Sequence, residues 1–280
     1  MMENRKYVFS YFKEEDEKLF LAYSQDGYVW KEARGGMPLW ESGVGTGKLR
    51  DPFLLQDREG VFHLVWTDGW RSCSIGYARS RDLIQWTDEK LIPVMEHLAG
   101  TQNAWAPEIF YDTVQEAYRI IWSSTVGEGP RNHRIYSALT KDFEVFSEGR
   151  LFFDPGYNVI DATVRDLGES YLMLFKDERG TNEKDTPFKA IRSCLVAKNG
   201  HDRPQTGPVS QLLTPALTEG PTLYETERNG KKEWVLLADG FQEQYYAAYR
   251  STDLANWEPI QEEMDLPKGP RHGSVMRLKE

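Results

Sequence analysis

Four carboxylates and a histidine stand at comparable places in short β-rich runs spread along the chain: Asp51, Glu108, Asp161, Glu219 and His272. Their settings are Arg50-Asp51-Pro52, Trp105-Ala106-Pro107-Glu108-Ile109, Ile160-Asp161-Ala162-Thr163, Glu219-Gly220-Pro221 and His272-Gly273-Ser274. Carboxyl groups held close together in a partly dry place raise the pKa of at least one member, because like charges repel and burial penalises ionisation. The result near neutral pH is a protonated acid beside an ionised carboxylate. Glycoside hydrolysis needs that pair, one acid for the leaving oxygen and one base or nucleophile. Acidic groups assembled from distant segments therefore suggest a hydrolytic site.

For these groups to meet, the elements carrying them must repeat. From Asp51 the steps are 57, 53, 58 and 53 residues, so a unit of about 55 fits five times into 280. A period of that length, built from short strands, predicts an all-β fold, a five-bladed β-propeller occupying 1–280 as a single domain. Each marked residue then starts the innermost strand of a blade, and all five converge at one mouth of the central channel. Turn formers such as Asp57-Arg58-Glu59-Gly60 and Asn229-Gly230 lead from these strands into second strands over 61–66, 171–175 and 233–237. A second repeat closes most blades: Ser24-Gln25-Asp26, Ser80-Arg81-Asp82, Thr140-Lys141-Asp142 and Ser251-Thr252-Asp253, each followed by an aromatic four residues on. Those aspartates fit tight turns and are expected to be structural. The blade from Asp161 to about Gln211 lacks its copy. Residues 7–32 hold outer strands without an inner one, and 272–278 an inner strand with nothing after it, so the two ends are expected to complete the last blade together.

Composition narrows the partners. The net charge of -10 argues against nucleic acid or an anionic membrane, both of which need basic patches. Nine Trp and fourteen Tyr exceed what a core of this size needs, and sugar sites use aromatic faces. Cys73 and Cys194, the two cysteines, are expected to be free thiols. With no signal-type segment at the start and no apolar run of ~18–20 residues, the chain reads as a cytoplasmic protein that does not enter a membrane. Oligomeric state is not written in the sequence.

The five motifs, in this order and spacing, resemble those of glycoside hydrolase family 43, over essentially the whole chain. The resemblance implies a five-bladed propeller and an inverting hydrolase of α-L-arabinofuranosyl or β-D-xylosyl linkages. It assigns Asp51 as the general base that activates water, Glu219 as the general acid and Asp161 as the carboxylate that orients the acid and tunes its pKa. His272 matches a histidine that in several relatives sits near a bound ion, often calcium, in the channel. A hydrogen-bonding partner of the carboxylates is the alternative for it. No cofactor is required, although the resemblance allows a structural calcium. Many relatives carry the base near the start of the chain, whereas about fifty residues precede Asp51 here. The glycine-rich segment 35–48 is thus without a close parallel and is expected to narrow or reshape the mouth.

Substrate contacts follow from the same geometry. Loops between second and third strands return to the face where inner strands begin, which makes Trp70, Trp105 and Phe241 candidates for a sugar platform. Glu108 is either a substrate contact or an electrostatic member of the funnel. Two rival readings fit the motifs less well. Retaining fructosidase propellers also display Arg-Asp-Pro, but they add Asn-Asp-Pro-Asn-Gly and Glu-Cys, neither of which occurs here. A catalytically silent carbohydrate-binding propeller would have no use for a complete base, modulator and acid.

Overall fold

The computed structural model describes residues 5–243 and 245–279. In chain order the strands are β1 (Tyr7–Phe12), β2 (Phe20–Ser24), β3 (Lys31–Glu32), β4 (Arg50–Gln56), β5 (Phe62–Thr67), β6 (Ile75–Ser80), β7 (Trp86–Ile92), β8 (Trp105–Asp112), β9 (Ala117–Ser124) and β10 (Arg134–Thr140). They continue with β11 (Arg150–Phe153), β12 (Val159–Asp166), β13 (Ser170–Asp177), β14 (Ala190–Ala197), β15 (Glu219–Arg228), β16 (Lys231–Gly240), β17 (Tyr245–Ser251), β18 (Glu258–Pro259) and β19 (Arg271–Arg277). They form five antiparallel sheets, ordered β4-β5-β6-β7, β8-β9-β10-β11, β12-β13-β14, β15-β16-β17-β18 and β19-β1-β2-β3.

The inner strands β4, β8, β12, β15 and β19 each touch the next, and β19 touches β4, so the sheets close into a ring of five blades. Closure is made as expected, by β19 pairing antiparallel with β1. The blade that lacks a closing motif has three strands, its outer position taken by a single bridge between Val196 and Thr206. In the other blades the motif aspartates do what short acidic side chains do in turns. Asp26, Asp82, Asp142 and Asp253 each accept two backbone N–H groups from residues two and three positions on.

The core lies between blades rather than around the channel. One cluster joins Phe9, Tyr11 and Trp30 of the closing blade to Tyr224, Val235 and Tyr246, and another joins Val65 and Tyr77 to Ile109, Ile120 and Trp122. Strands buried on both faces read as apolar runs, which is why β5 and β9 show little alternation. This packing consumes most of the aromatic surplus. Cys73 and Cys194 are free thiols.

What positions the site is a backbone irregularity at each inner-strand start. Pairing with the neighbouring strand skips between Arg50 and Phe53, Trp105 and Glu108, Ile160 and Thr163, Glu219 and Thr222, and between Arg271 and Ser274. In four of these bulges the second residue has positive φ: Asp51 at 50°, Ala106 at 47°, Asp161 at 55° and Gly220 at 55°. Left-handed backbone costs a side-chain-bearing residue about 1–2 kcal/mol, and bulges re-aim side chains where pairing is given up. The true repeat positions are therefore 51, 106, 161, 220 and 272. Glu108 lies two residues further along its strand, and Glu219 one residue earlier.

Candidate active site

The inner-strand starts enclose a cavity of about 80 Å³ at one mouth of the channel, lined by Arg50, Asp51, Thr67, Trp70, Trp105, Ile160, Asp161, Glu219 and His272. Three of the four marked carboxylates and the histidine thus share one wall, from four different blades. The far ends of the inner strands, including Gln56, Tyr111, Asp166 and Arg277, surround the opposite mouth.

Asp51 is fixed by Thr67, whose Oγ1 donates to Oδ2 at 2.7 Å and accepts the Ala106 N–H at 2.7 Å. Its other oxygen, Oδ1, lies 3.4 Å from His272 Nδ1. The same nitrogen is 3.9 Å from Asp161 Oδ2, so the histidine sits between the two aspartates. Asp161 is held by its backbone N–H, which donates to Ser123 Oγ at 3.0 Å, and by Oδ2, which accepts the Gly220 N–H at 3.1 Å. Gly220 has no alternative. A Cβ there would fall 2.4 Å from His272 Cγ.

Charge is distributed unevenly among these groups. Burial pushes the Asp161 carboxyl up to about 7, with His272 opposing and Glu219 and Asp51 adding to the rise. For His272, burial disfavours protonation, but Asp161, Asp51 and Glu219 outweigh it and leave the imidazole above its usual range. Glu219 goes the other way. Its Oε2 accepts from Lys176 Nζ at 2.7 Å, and against burial this ammonium holds the carboxyl below the usual carboxylate range. Arg271 and His272 of β19 are held by Asp239, whose Oδ2 accepts Arg271 Nε at 2.8 Å and the His272 N–H at 3.0 Å. Burial raises Asp239 to about 6 in spite of Arg271.

The aromatic candidates separate. Trp70 and Trp105 line the cavity with rings edge to face, centroids 5.5 Å apart, and Trp105 Nε1 donates to the Trp70 carbonyl at 3.1 Å. Trp70 is 57% exposed, with the Arg50 guanidinium 4.5 Å from its centroid. Arg131 stands 5.1 Å from the Trp105 centroid, and the His133 ring packs against the Trp105 ring at 5.0 Å. Phe241 is outside the cavity lining, and its ring faces Lys176 Nζ at 4.4 Å.

Glu108 is outside the cavity lining. Two residues past the bulge, it is buried below the cavity, and burial raises its carboxyl to about 7 against the pull of Arg165 and a Thr163 hydrogen bond. The part-buried Arg165 guanidinium, which also lines the opposite mouth, donates to Leu223 O, Thr163 Oγ1 and Val164 O. Calcium takes six to eight oxygens, and among the described residues no group of three or more His, Cys, Asp or Glu side chains is arranged to hold a metal. His272 Nδ1 faces two carboxylates, and the channel beside Glu108 already holds a guanidinium. The segment 35–48 does not line the cavity. It packs beside it, Thr46 donating twice to Asp68 and Trp40 stacking near Trp66 and Trp86.

Thr67, Lys176, Asp239 and Arg271 complete the site without having been singled out from the sequence. For Lys176 the one available signal was a lysine ending the apolar run Tyr171-Leu172-Met173-Leu174-Phe175, a place where a cation must find buried partners.

With this geometry in hand, the relatives can be compared. Residues 3–280 match the family described as a probable glycosyl hydrolase domain, related to glycoside hydrolase family 43. An α-L-arabinofuranosidase of Bifidobacterium longum is 31% identical over 287 residues, covering 84% of this chain but 26% of that protein, so the chain spans about a quarter of that relative's length. Among solved structures, an endo-arabinase from Bacteroides thetaiotaomicron superposes with a TM-score of 0.59 at 17% identity, over 83% of this chain and 94% of that one. An α-L-arabinanase from Cellvibrio cellulosa gives 0.58 at 16% identity, over 92% of each. At such identities the two structures speak for the fold.

Proposed function

The chain belongs to the glycoside hydrolase 43-related family, and from that premise we propose that it hydrolyses α-L-arabinofuranosyl linkages with inversion at the anomeric carbon. The observation that carries this reading is the shared cavity, in which Asp51, Asp161 and Glu219 face one space beside Trp70 and Trp105. Asp51 acts as base: with Oδ2 occupied by the Thr67 hydroxyl, Oδ1 remains to take a proton from an attacking water. In its protonated form, which Lys176 confines to acidic pH, Glu219 gives its proton to the leaving oxygen as the glycosidic bond breaks, and the water's proton ends on Asp51. Asp161, linked to Glu219 through the adjacent Gly220 N–H, orients the acid.

A cavity of about 80 Å³ is far below the ~300–1,000 Å³ of sites that enclose drug-sized ligands. It suits one terminal pentose better than a stretch of polymer, with Trp70 as a platform at the rim. The Arg165 guanidinium beside Glu108 supplies positive charge within the channel, so the reading requires no calcium.

The test is a panel of aryl α-L-arabinofuranosides, β-D-xylosides and β-D-galactosides, with NMR of the first-formed sugar. Arabinofuranoside hydrolysis with an inverted anomer is expected. Glu219→Ala should lose about 10²–10⁴-fold on a poor leaving group and far less on an activated one. Retention of configuration would refute the roles given to Asp51 and Glu219, and sugar binding without hydrolysis would favour the silent propeller.

A further inference from the structure

Behind the cavity wall lies a line of alternating charge that the reaction scheme has not used. Lys176, near the end of β13, is 2% exposed. Its Nζ contacts Glu219 Oε2 at 2.7 Å and Glu178 Oε2 at 2.9 Å. Glu178 in turn meets the buried Lys189 through its other oxygen. One ammonium is therefore shared between a carboxylate that lines the cavity and one that does not, with the Phe241 ring against its third side. A buried ammonium left without a partner is strongly unfavourable. A lysine bonded to Glu219 alone would thus oppose any step in which Glu219 becomes neutral.

We propose that Lys176 and Glu178 are a positioning pair that sets the direction and charge of Glu219, Lys176 steadying the carboxylate while Glu178 lets the lysine release it. The inference rests on the reading of Glu219 as the acid. When Glu219 carries a proton, Lys176 remains neutralised by Glu178. As the proton moves to the leaving oxygen and the C–O bond breaks, negative charge grows on Glu219 where the ammonium already stands, and preorganised charge of this kind stabilises a transition state. The resting direction agrees, since the two glutamates hold Lys176 above its ordinary range against burial, and Lys176 holds Glu219 low.

Other charged groups face the same carboxyl. Asp161 approaches from β12, Asp239 from β16, and Arg271 and His272 from β19. Around Glu178 stand Lys189 and the imidazole of His133, which burial keeps neutral with a pKa of about 4. None of these offers Lys176 a second carboxylate in contact.

The experiment is the pH profile of kcat/KM on an aryl arabinofuranoside with a poor leaving group. Its alkaline limb reports loss of the acid's proton. Lys176→Met should move that limb up by about 1 unit or more, and Glu178→Gln should move it down, because an opposite charge in contact shifts a carboxyl by about 1–3 units. Lys176→Arg, which keeps the charge, should leave the limb near its original place. Circular dichroism and the urea midpoint of the three variants, compared with the parent, report intact folding. Limbs that stay fixed, or that move the same way in Lys176→Met and Glu178→Gln, would overturn the pair. Should Glu178→Gln not fold, the contrast between Lys176→Met and Lys176→Arg decides alone. Glu219→Gln separates the two layers of argument: no leaving-group dependence there sinks the acid reading itself, while strong dependence with unmoved limbs sinks only the pair.

Discussion

Thr67 illustrates how little separates a turn aspartate from a reactive one. Its hydroxyl donates to Asp51 Oδ2 and accepts the Ala106 N–H, tying the proposed base of one blade to the backbone of the next. Thr67→Val keeps the shape and removes both bonds. A hydrogen bond to a charged group is worth about 1.5–3 kcal/mol and an orphaned buried N–H costs about 1–3. We expect kcat/KM to fall by about tenfold or more, with a measurable loss of stability in urea denaturation. A kcat/KM equal to that of the parent would show that Asp51 needs no such support. Trp70 should behave differently. At the exposed rim, a sugar platform would contact ground and transition states similarly, so under the proposed function Trp70→Ala should raise KM with little change in kcat. A kcat that collapses instead would place Trp70 closer to the reacting bond.

At the scale of elements, the repeat that matters is a backbone position and not a residue type. The left-handed residue in the bulge opens each of four inner strands, and blades differ in what side chain they hang on it. Gly220 is the blade in which nothing but hydrogen fits. Gly220→Ala combines a positive φ with a Cβ 2.4 Å from the His272 ring, and a cost of roughly 2–4 kcal/mol is expected from strain and overpacking together. Urea denaturation measures it, and a variant as stable as the parent would mean the ring has room to retreat. This also explains what the sequence could convey. Blade count, the turn aspartates, the three-stranded blade and the joining of the two ends all follow from periodic markers, because each marker answers a local need. Asp51, Asp161, Glu219 and His272 were brought to one cavity with Trp70 and Trp105. Glu108 shares the strand-start spacing of the other markers, but its offset past the bulge leaves it outside the cavity lining, a shift that residue spacing alone does not carry. Lys176 was overlooked because its partners come from a distant strand and the following loop, a relation no local pattern carries. Phe241 was judged by loop position, which does not say that its ring would cover a lysine.

For the whole molecule, the channel groups set a pH dependence of stability. Burial raises Glu108 and Asp161 to about 7 and Asp239 to about 6, while unfolded carboxyls titrate near ~4. Each holds its proton more tightly when folded, so its contribution is present in acid and is lost as pH rises from about 4 to about 7. His272 acts in the same sense: raised above its ordinary 6.5, it contributes fully below that value and loses its contribution as pH climbs through the folded one. Glu17, Asp177 and Glu219 oppose this, because cationic partners outweigh burial and hold them low, giving stability that is lost as pH falls. Among the channel groups, the raised carboxyls and His272 give a contribution to stability that declines from mildly acidic pH toward pH 8, and Asp161→Asn should flatten that decline. A variant whose Tm follows the parent's from pH 5 to 8 in calorimetry would contradict the assignment.

The pairing of β19 with β1 has a consequence in time. Tyr7 meets Arg277 and Phe12 meets Arg271 across some 260 residues of intervening chain, and contacts of such separation form late because loop-closure entropy is paid first. His272 and Arg271 ride on that last strand. During synthesis, four blades can be laid down while the fifth still shows bare edges to its surroundings. Because His272 and Arg271 sit on β19, the pocket is complete only when that pairing is made, so ring closure and the placing of the histidine are one and the same contact.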